Sequence, residues 1–128
     1  MNYEELIQKS IEAQNFSYAP YSKFKVGAAV LTESGKVFTG CNIENASFGA
    51  TNCAERTAIF KAISEGEKRF TAIAITGSSH KFTYPCGICR QVISEFSPNM
   101  EIVMQDKNDG IRIVKADSIF PESIIPFD

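Results

Sequence analysis

The run Phe70 to Thr76, FTAIAIT, is apolar almost without a break. A strand with one wet face alternates apolar and polar residues. An unbroken run instead expects cover on both faces of its sheet. The neighbouring segments supply that cover. Upstream, AERTAIFKAISEG follows Cys53 and reads as a helix to about Glu65, with Gly66 as its C-cap. Downstream, Pro85-Cys86-Gly87-Ile88-Cys89-Arg90 opens a second helix that runs to about Phe96 and ends at Ser97-Pro98-Asn99.

The remaining segments extend the same pattern. Leu6, Ile7, Ile11, Ala13 and Phe16 fall at roughly helical spacing, so Tyr3 to Phe16 reads as an amphipathic helix. Pro20 ends it and leaves a loop presenting Tyr18 and Tyr21. Phe24 to Leu31 and Lys36 to Cys41 read as a hairpin around Thr32-Glu33-Ser34-Gly35. Gly27, Ala28 and Ala29 are small, which expects a helix packed closely over that strand. Glu101 to Gln105 and Ile111 to Val114 are two more strands, and Ala116 to Asp128 is a short helix with a Pro-interrupted tail. The order is α, β, β, α, β, α, β, β, α. It predicts an α/β fold: a three-layer α/β/α sandwich around a central mixed five-stranded sheet. At 128 residues the chain is expected to be one domain spanning 1–128, without repeat or linker.

Charge narrows the function. Thirteen basic and fifteen acidic residues give −2, which argues against the basic face of a nucleic-acid binder. No apolar run approaches membrane-span length, and MNYEELIQKS is acidic rather than signal-like, so a cytoplasmic, reducing setting is expected. In that setting the four cysteines Cys41, Cys53, Cys86 and Cys89 suggest metal or catalysis before disulfides.

Cys53 and the Cys86-x-x-Cys89 pair each follow a loop and open a helix. Helix N-termini offer free N–H groups and a dipole that favour thiolates. If the two ends converge, three thiolates meet. Zinc takes such ligands tetrahedrally and, when catalytic, keeps a fourth place for water. Glu55, beside Cys53 but not a ligand, is then suited to carry protons. Two other readings of the same residues stand beside this one. Cys41 as a fourth ligand gives a structural zinc site, though the second CxxC knuckle is missing and Cys41 ends an apolar strand, as a buried free thiol does. CGIC at a helix start also fits a thioredoxin-like redox pair, though no Trp precedes it and no Pro marks the following strand. His80, the only histidine, lies in the loop Gly77 to Tyr84 and reads as a solvated residue.

Cys53-Ala54-Glu55 with Pro85-Cys86-Gly87-Ile88-Cys89 resembles the zinc-dependent deaminase pattern. Taken together, FKVGAAVL, GCNIENASFG, CAERTAIFKAI and PCGICRQVISEF resemble the small tetrameric cytidine deaminases with three cysteine ligands, from about Tyr18 to Phe96. The resemblance implies one zinc ion per chain on Cys53, Cys86 and Cys89, with Glu55 as proton shuttle. It implies that Asn42 and Glu44 bind the ribose 3′-hydroxyl, that Phe24 lies against the pyrimidine, and that the Ala54 backbone meets the polar edge of the base. Arg56 matches an arginine that hydrogen-bonds the thiolates. Zinc with three thiolates carries a net charge of about −1, and Arg56 offsets it. The implied reaction is hydrolytic deamination of cytidine and deoxycytidine to the uracil nucleosides and ammonia, in pyrimidine salvage. The implied partners are a small nucleoside substrate and the other subunits of a homotetramer, with active sites near the interfaces, and neither nucleic acid nor membrane. Two positions depart from the family pattern. Phe48 stands where many relatives have Tyr. Ile124 holds the place where relatives have a Phe that reaches a neighbour's active site, the nearest Phe here being Phe127.

Overall fold

The structure is a computed structural model that describes residues 1–123. It contains α1 (Tyr3–Ala13), β1 (Val26–Thr32), β2 (Val37–Cys41), α2 (Ala54–Ser64), β3 (Phe70–Gly77), α3 (Gly87–Phe96), β4 (Glu101–Asp106), β5 (Gly110–Lys115) and α4 (Ala116–Ile119). The five strands form one sheet in the order β2-β1-β3-β4-β5. Neighbours run antiparallel except β3 and β4, which are parallel and joined through α3. The mixed sheet with helices on both faces is the architecture that the sequence predicts. Ile124 and Phe127 lie outside the described residues.

Strand periodicity divides the core in two. Val26, Ala28 and Val30 of β1, Ile73 and Ile75 of β3, and Ile102 and Met104 of β4 point to one face. There they meet Ala54, Ala58, Ile59 and Ala62 of α2 and Ile93 of α3. Ala29, Ala72, Ala74 and Val103 point to the other face and meet Leu6 and Ile7 of α1. FTAIAIT is unbroken because both of its faces are covered. Each fully buried aliphatic side chain contributes roughly 1.5–3 kcal/mol, and Leu6 and Ile7 anchor α1 in this way.

The small residues of β1 do mark a close helix. A Cβ on Gly27 would lie 1.8 Å from the Ser10 carbonyl oxygen, so α1 rests directly on the strand backbone. The same device sets α2. A Cβ on Gly40 would lie 2.5 Å from the Ala58 nitrogen and 2.6 Å from the Ala54 oxygen. Bare backbone at Gly40 lets the first turns of α2 press against the end of β2, close to Asn42.

Strand ends shift by a residue from the sequence reading, and the start of β1 by two. The apolar run places Phe24 in β1, but the strand begins at Val26. The Phe24 and Lys25 N–H groups bond to the Ser22 and Ser78 hydroxyls instead of a neighbouring strand. Side-chain acceptors outcompete the ladder here. Phe24 therefore belongs to a loop whose course is set by its neighbours.

Candidate functional site

Cys53 caps the N-terminus of α2, and Cys86 caps that of α3. Cys89 follows in the first turn of α3, fully buried. The two helix ends converge, and the sulfurs of Cys53, Cys86 and Cys89 all lie within 4.8 Å of one another. Cys53 and Cys86 Sγ are 3.7 Å apart. Zinc–sulfur bonds of about 2.3 Å in tetrahedral geometry put sulfurs about 3.8 Å apart. The donor set therefore fits a zinc ion by chemistry and by spacing. Cys41 is not a member among the described residues: it is buried at the end of β2, where burial raises its thiol pKa.

Local hydrogen bonds fix the backbone that carries these thiols. The Thr57 N–H and hydroxyl both donate to the Cys53 carbonyl at 3.0 Å, and Asn52 Nδ2 donates to that hydroxyl. Arg90 Nε donates to the Pro85 carbonyl at 2.8 Å, and its Nη1 to the Ile119 carbonyl at 2.9 Å. Arg90 thus ties the turn before Cys86 to the end of α4.

The charges around the sulfurs are uneven. Hydrogen bonds from Cys89 and then Arg56 hold the Cys53 thiol pKa well below its ordinary value. Arg56 Nη2 is 3.2 Å from Cys53 Sγ. Cys89 moves the opposite way, because it shares its proton with Cys53 and is buried. Glu55 is 4% exposed. Burial first, then the negative charge of Cys53, pushes its carboxyl up to about 7. A carboxyl poised there can both take and give a proton near neutral pH.

A cavity of about 250 Å³ joins this centre to the polar groups singled out in the sequence. Phe24, Asn42, Glu44, Cys53, Ala54, Glu55 and Cys86 all line it. Ala54 is fully buried, so only its backbone and methyl face the space. Asn42 Oδ1 accepts the Val26 N–H at 2.9 Å, and its Nδ2 donates to the Phe24 carbonyl at 2.7 Å. The Glu44 carboxylate accepts the N–H groups of Tyr21 and Ser22 and the Ser22 hydroxyl. Both side chains keep spare capacity: Asn42 a second N–H, Glu44 further lone pairs. A larger cavity, about 560 Å³, lies at the opposite end of the sheet, among Phe70, Glu101 and Lys115, away from the thiols.

The sequence reading does not single out Ser22, Thr83 or Tyr84, which also line the cavity. Ser22 meets Glu44 across 22 residues, and no short motif signals that pairing. His80 is exposed and outside the thiol cluster. Phe48 is 81% exposed, outside the cavity beside the thiols.

Residues 1–105 match the family model described as "Cytidine and deoxycytidylate deaminase zinc-binding region". The chain is 53% identical over 96 residues to the cytidine deaminase of Sporosarcina psychrophila, covering 75% of this chain and 71% of that protein. It is 43% identical over 122 residues to the cytidine deaminase of Halalkalibacterium halodurans, covering 94% and 92%. Among solved structures, the cytidine deaminase of Burkholderia pseudomallei superposes with a TM-score of 0.91 at 46% identity, covering 97% of this chain and all of that one.

Proposed function

The chain belongs to the zinc-binding family of cytidine and deoxycytidylate deaminases, and from that premise we propose that it hydrolyses cytidine and deoxycytidine to uridine and deoxyuridine. One observation carries the reading at the level of residues: a buried carboxyl, Glu55, shares one cavity with Cys53 and Cys86 of the three-thiol cluster. A structural metal site has no use for that carboxyl.

Cys53, Cys86 and Cys89 would hold one zinc ion. When bound, zinc supplies a Lewis acid that makes water nucleophilic at neutral pH. Glu55 carries the protons. It delivers one to the ring nitrogen beside the carbon that bears the amine, and then one to the departing amine. Water is consumed, ammonia leaves, and the ring keeps a carbonyl oxygen. Arg56 withdraws charge from Cys53 and offsets the surplus of three thiolates.

Phe24 lies against the pyrimidine, and the Ala54 backbone meets its polar edge. Asn42 and Glu44 hold the 3′-hydroxyl of the sugar. That hydroxyl is remote from the reacting carbon, yet its binding holds the ring in place and so contributes to rate. The cavity volume, about 250 Å³, suits a single nucleoside. Deoxycytidine keeps the 3′-hydroxyl and is therefore also a substrate.

The chain acts as one catalytic domain over residues 1–128 and assembles as a homotetramer with its sites near the interfaces. Exposed aromatic side chains support the assembly: Phe16 is 80% and Phe48 81% exposed, and Tyr18 and Tyr21 are each 56% exposed. Its setting is pyrimidine salvage in the cytoplasm. No described helix is long and apolar enough to cross a membrane.

The test is initial rates of ammonia release from cytidine, deoxycytidine and free cytosine. Turnover of both nucleosides with cytosine far behind is expected. Equal kcat/KM for cytosine and cytidine would remove the sugar contacts from the account.

A further inference from the structure

The segment 19–24 carries Phe24 but has no helix or strand of its own. Its backbone turns through Lys23, whose φ of 61° lies in the left-handed region. A residue with a Cβ rarely stays there unless its surroundings hold it. The Lys23 N–H itself donates to the Ala19 carbonyl at 3.0 Å, and Glu44 holds the two residues before it. One carboxylate oxygen accepts the Tyr21 N–H at 2.9 Å and the Ser22 N–H at 3.1 Å. The other accepts the Ser22 hydroxyl. The Ser22 oxygen in turn accepts the Phe24 N–H at 3.0 Å. One hydroxyl thus stands between the carboxylate at the sugar end of the cavity and the backbone of the aromatic residue at the base end.

Phe24 has little freedom to absorb a disturbance elsewhere. Asn42 Nδ2 holds its carbonyl at 2.7 Å. Its ring lies against bare backbone at Gly77, where a Cβ would fall 2.6 Å from the ring Cζ. With its carbonyl pinned and its ring backed by β3, Phe24 takes its remaining placement from the N–H bond to Ser22. Hydrogen bonds to a charged acceptor are the strong ones, and linked bonds polarise one another.

We propose that Ser22 is a positioning residue that couples Glu44 to Phe24, so that the sugar contact and the base contact act as one unit. The inference rests on the reading of Glu44 and Phe24 as those contacts. It adds a residue that touches neither the metal ligands nor the reacting carbon. Substrate specificity then depends on the linkage as well as on the two contacts: a ligand that engages Glu44 finds the aromatic ring already set for the base.

The experiment is a double-mutant cycle on kcat/KM for cytidine with zinc-loaded enzyme. Glu44→Gln and Phe24→Leu are combined in the wild type, in Ser22→Ala and in Ser22→Thr. In the wild type the combined loss is expected to differ from the product of the single losses by roughly threefold or more. In Ser22→Ala the two changes become additive within about twofold. Ser22→Thr keeps the hydroxyl and restores the coupling, which a merely structural role for Ser22 would not require. Ser22→Ala alone raises KM for cytidine roughly tenfold. Coupling of the same size in Ser22→Ala, or additivity in an active wild type, overturns the inference and leaves the deaminase reading standing. A zinc-loaded wild type that turns over no nucleoside overturns that reading and the inference with it.

Discussion

Arg56 Nη2 donates to Cys53 Sγ at 3.2 Å, one helical turn from N-cap to third residue. The bond joins the residue that follows the buried carboxyl to the thiol that precedes it, so thiol, carboxyl and guanidinium all fall within positions 53–56. Residues three apart on a helix face meet side by side, and the chain uses that spacing to put a guanidinium on a sulfur.

Removing the guanidinium leaves the thiolate charge uncompensated. Arg56→Gln should keep its zinc and lose roughly ten- to a hundredfold in kcat, as is usual for groups that support a metal ligand. Zinc content and kcat are measured on one sample. An unchanged kcat would make Arg56 a packing residue.

Glu55→Gln keeps the shape of the side chain and removes its ability to move a proton. Turnover should fall by at least about a hundredfold, with zinc still bound. A variant with zinc and near-normal kcat would mean that another group carries the protons.

The order of elements is legible because it depends on local signals, whereas the meeting of the three thiols, across 33 residues from Cys53 to Cys86, is expected only through the resemblance to the deaminases. Helix-start cysteines, a C-cap glycine and an unbroken apolar run each announce themselves within a few residues. The Ser22–Glu44–Phe24 linkage is not legible, because it joins residues 22 apart and its donors are mostly backbone. The start of β1 is hidden for the same reason: the Ser22 and Ser78 hydroxyls take up the Phe24 and Lys25 N–H groups, and nothing in FKVGAAVL reveals it. Arg90 reads as the residue after a ligand, yet its guanidinium spans from Pro85 to Ile119, a contact that exists only once α4 has docked.

The Glu44 carboxyl is held below its ordinary value of 4.5 by hydrogen bonds, the Ser22 hydroxyl first. A depressed carboxyl contributes stability that is present above its unfolded pKa and is lost as pH falls through the folded one. Wild type should therefore melt above Glu44→Gln at pH 7, and the gap in Tm should close as pH falls below 4.5. Both proteins are compared at equal zinc content. A gap independent of pH would show that the carboxylate charge does not organise the 19–24 loop.

Gly40 lets α2 reach the sheet. Gly40→Ala would place a methyl 2.5 Å from the Ala58 nitrogen, and such overpacking costs about 1–3 kcal/mol. The displaced element carries Cys53, so the variant should show both a lower denaturation midpoint and easier loss of zinc to a chelator. Loss of stability with zinc affinity intact would separate α2 packing from the metal centre.

The proposed deamination depends on zinc at the three thiols. The most direct measurement follows cytidine turnover and bound zinc together while a chelator strips the metal and added zinc restores it. About one zinc per chain is expected at full activity, as a single three-thiolate site requires, with activity falling and returning in proportion to bound zinc. Turnover that persists in the zinc-free protein, or a fully loaded protein that releases no ammonia, would contradict it.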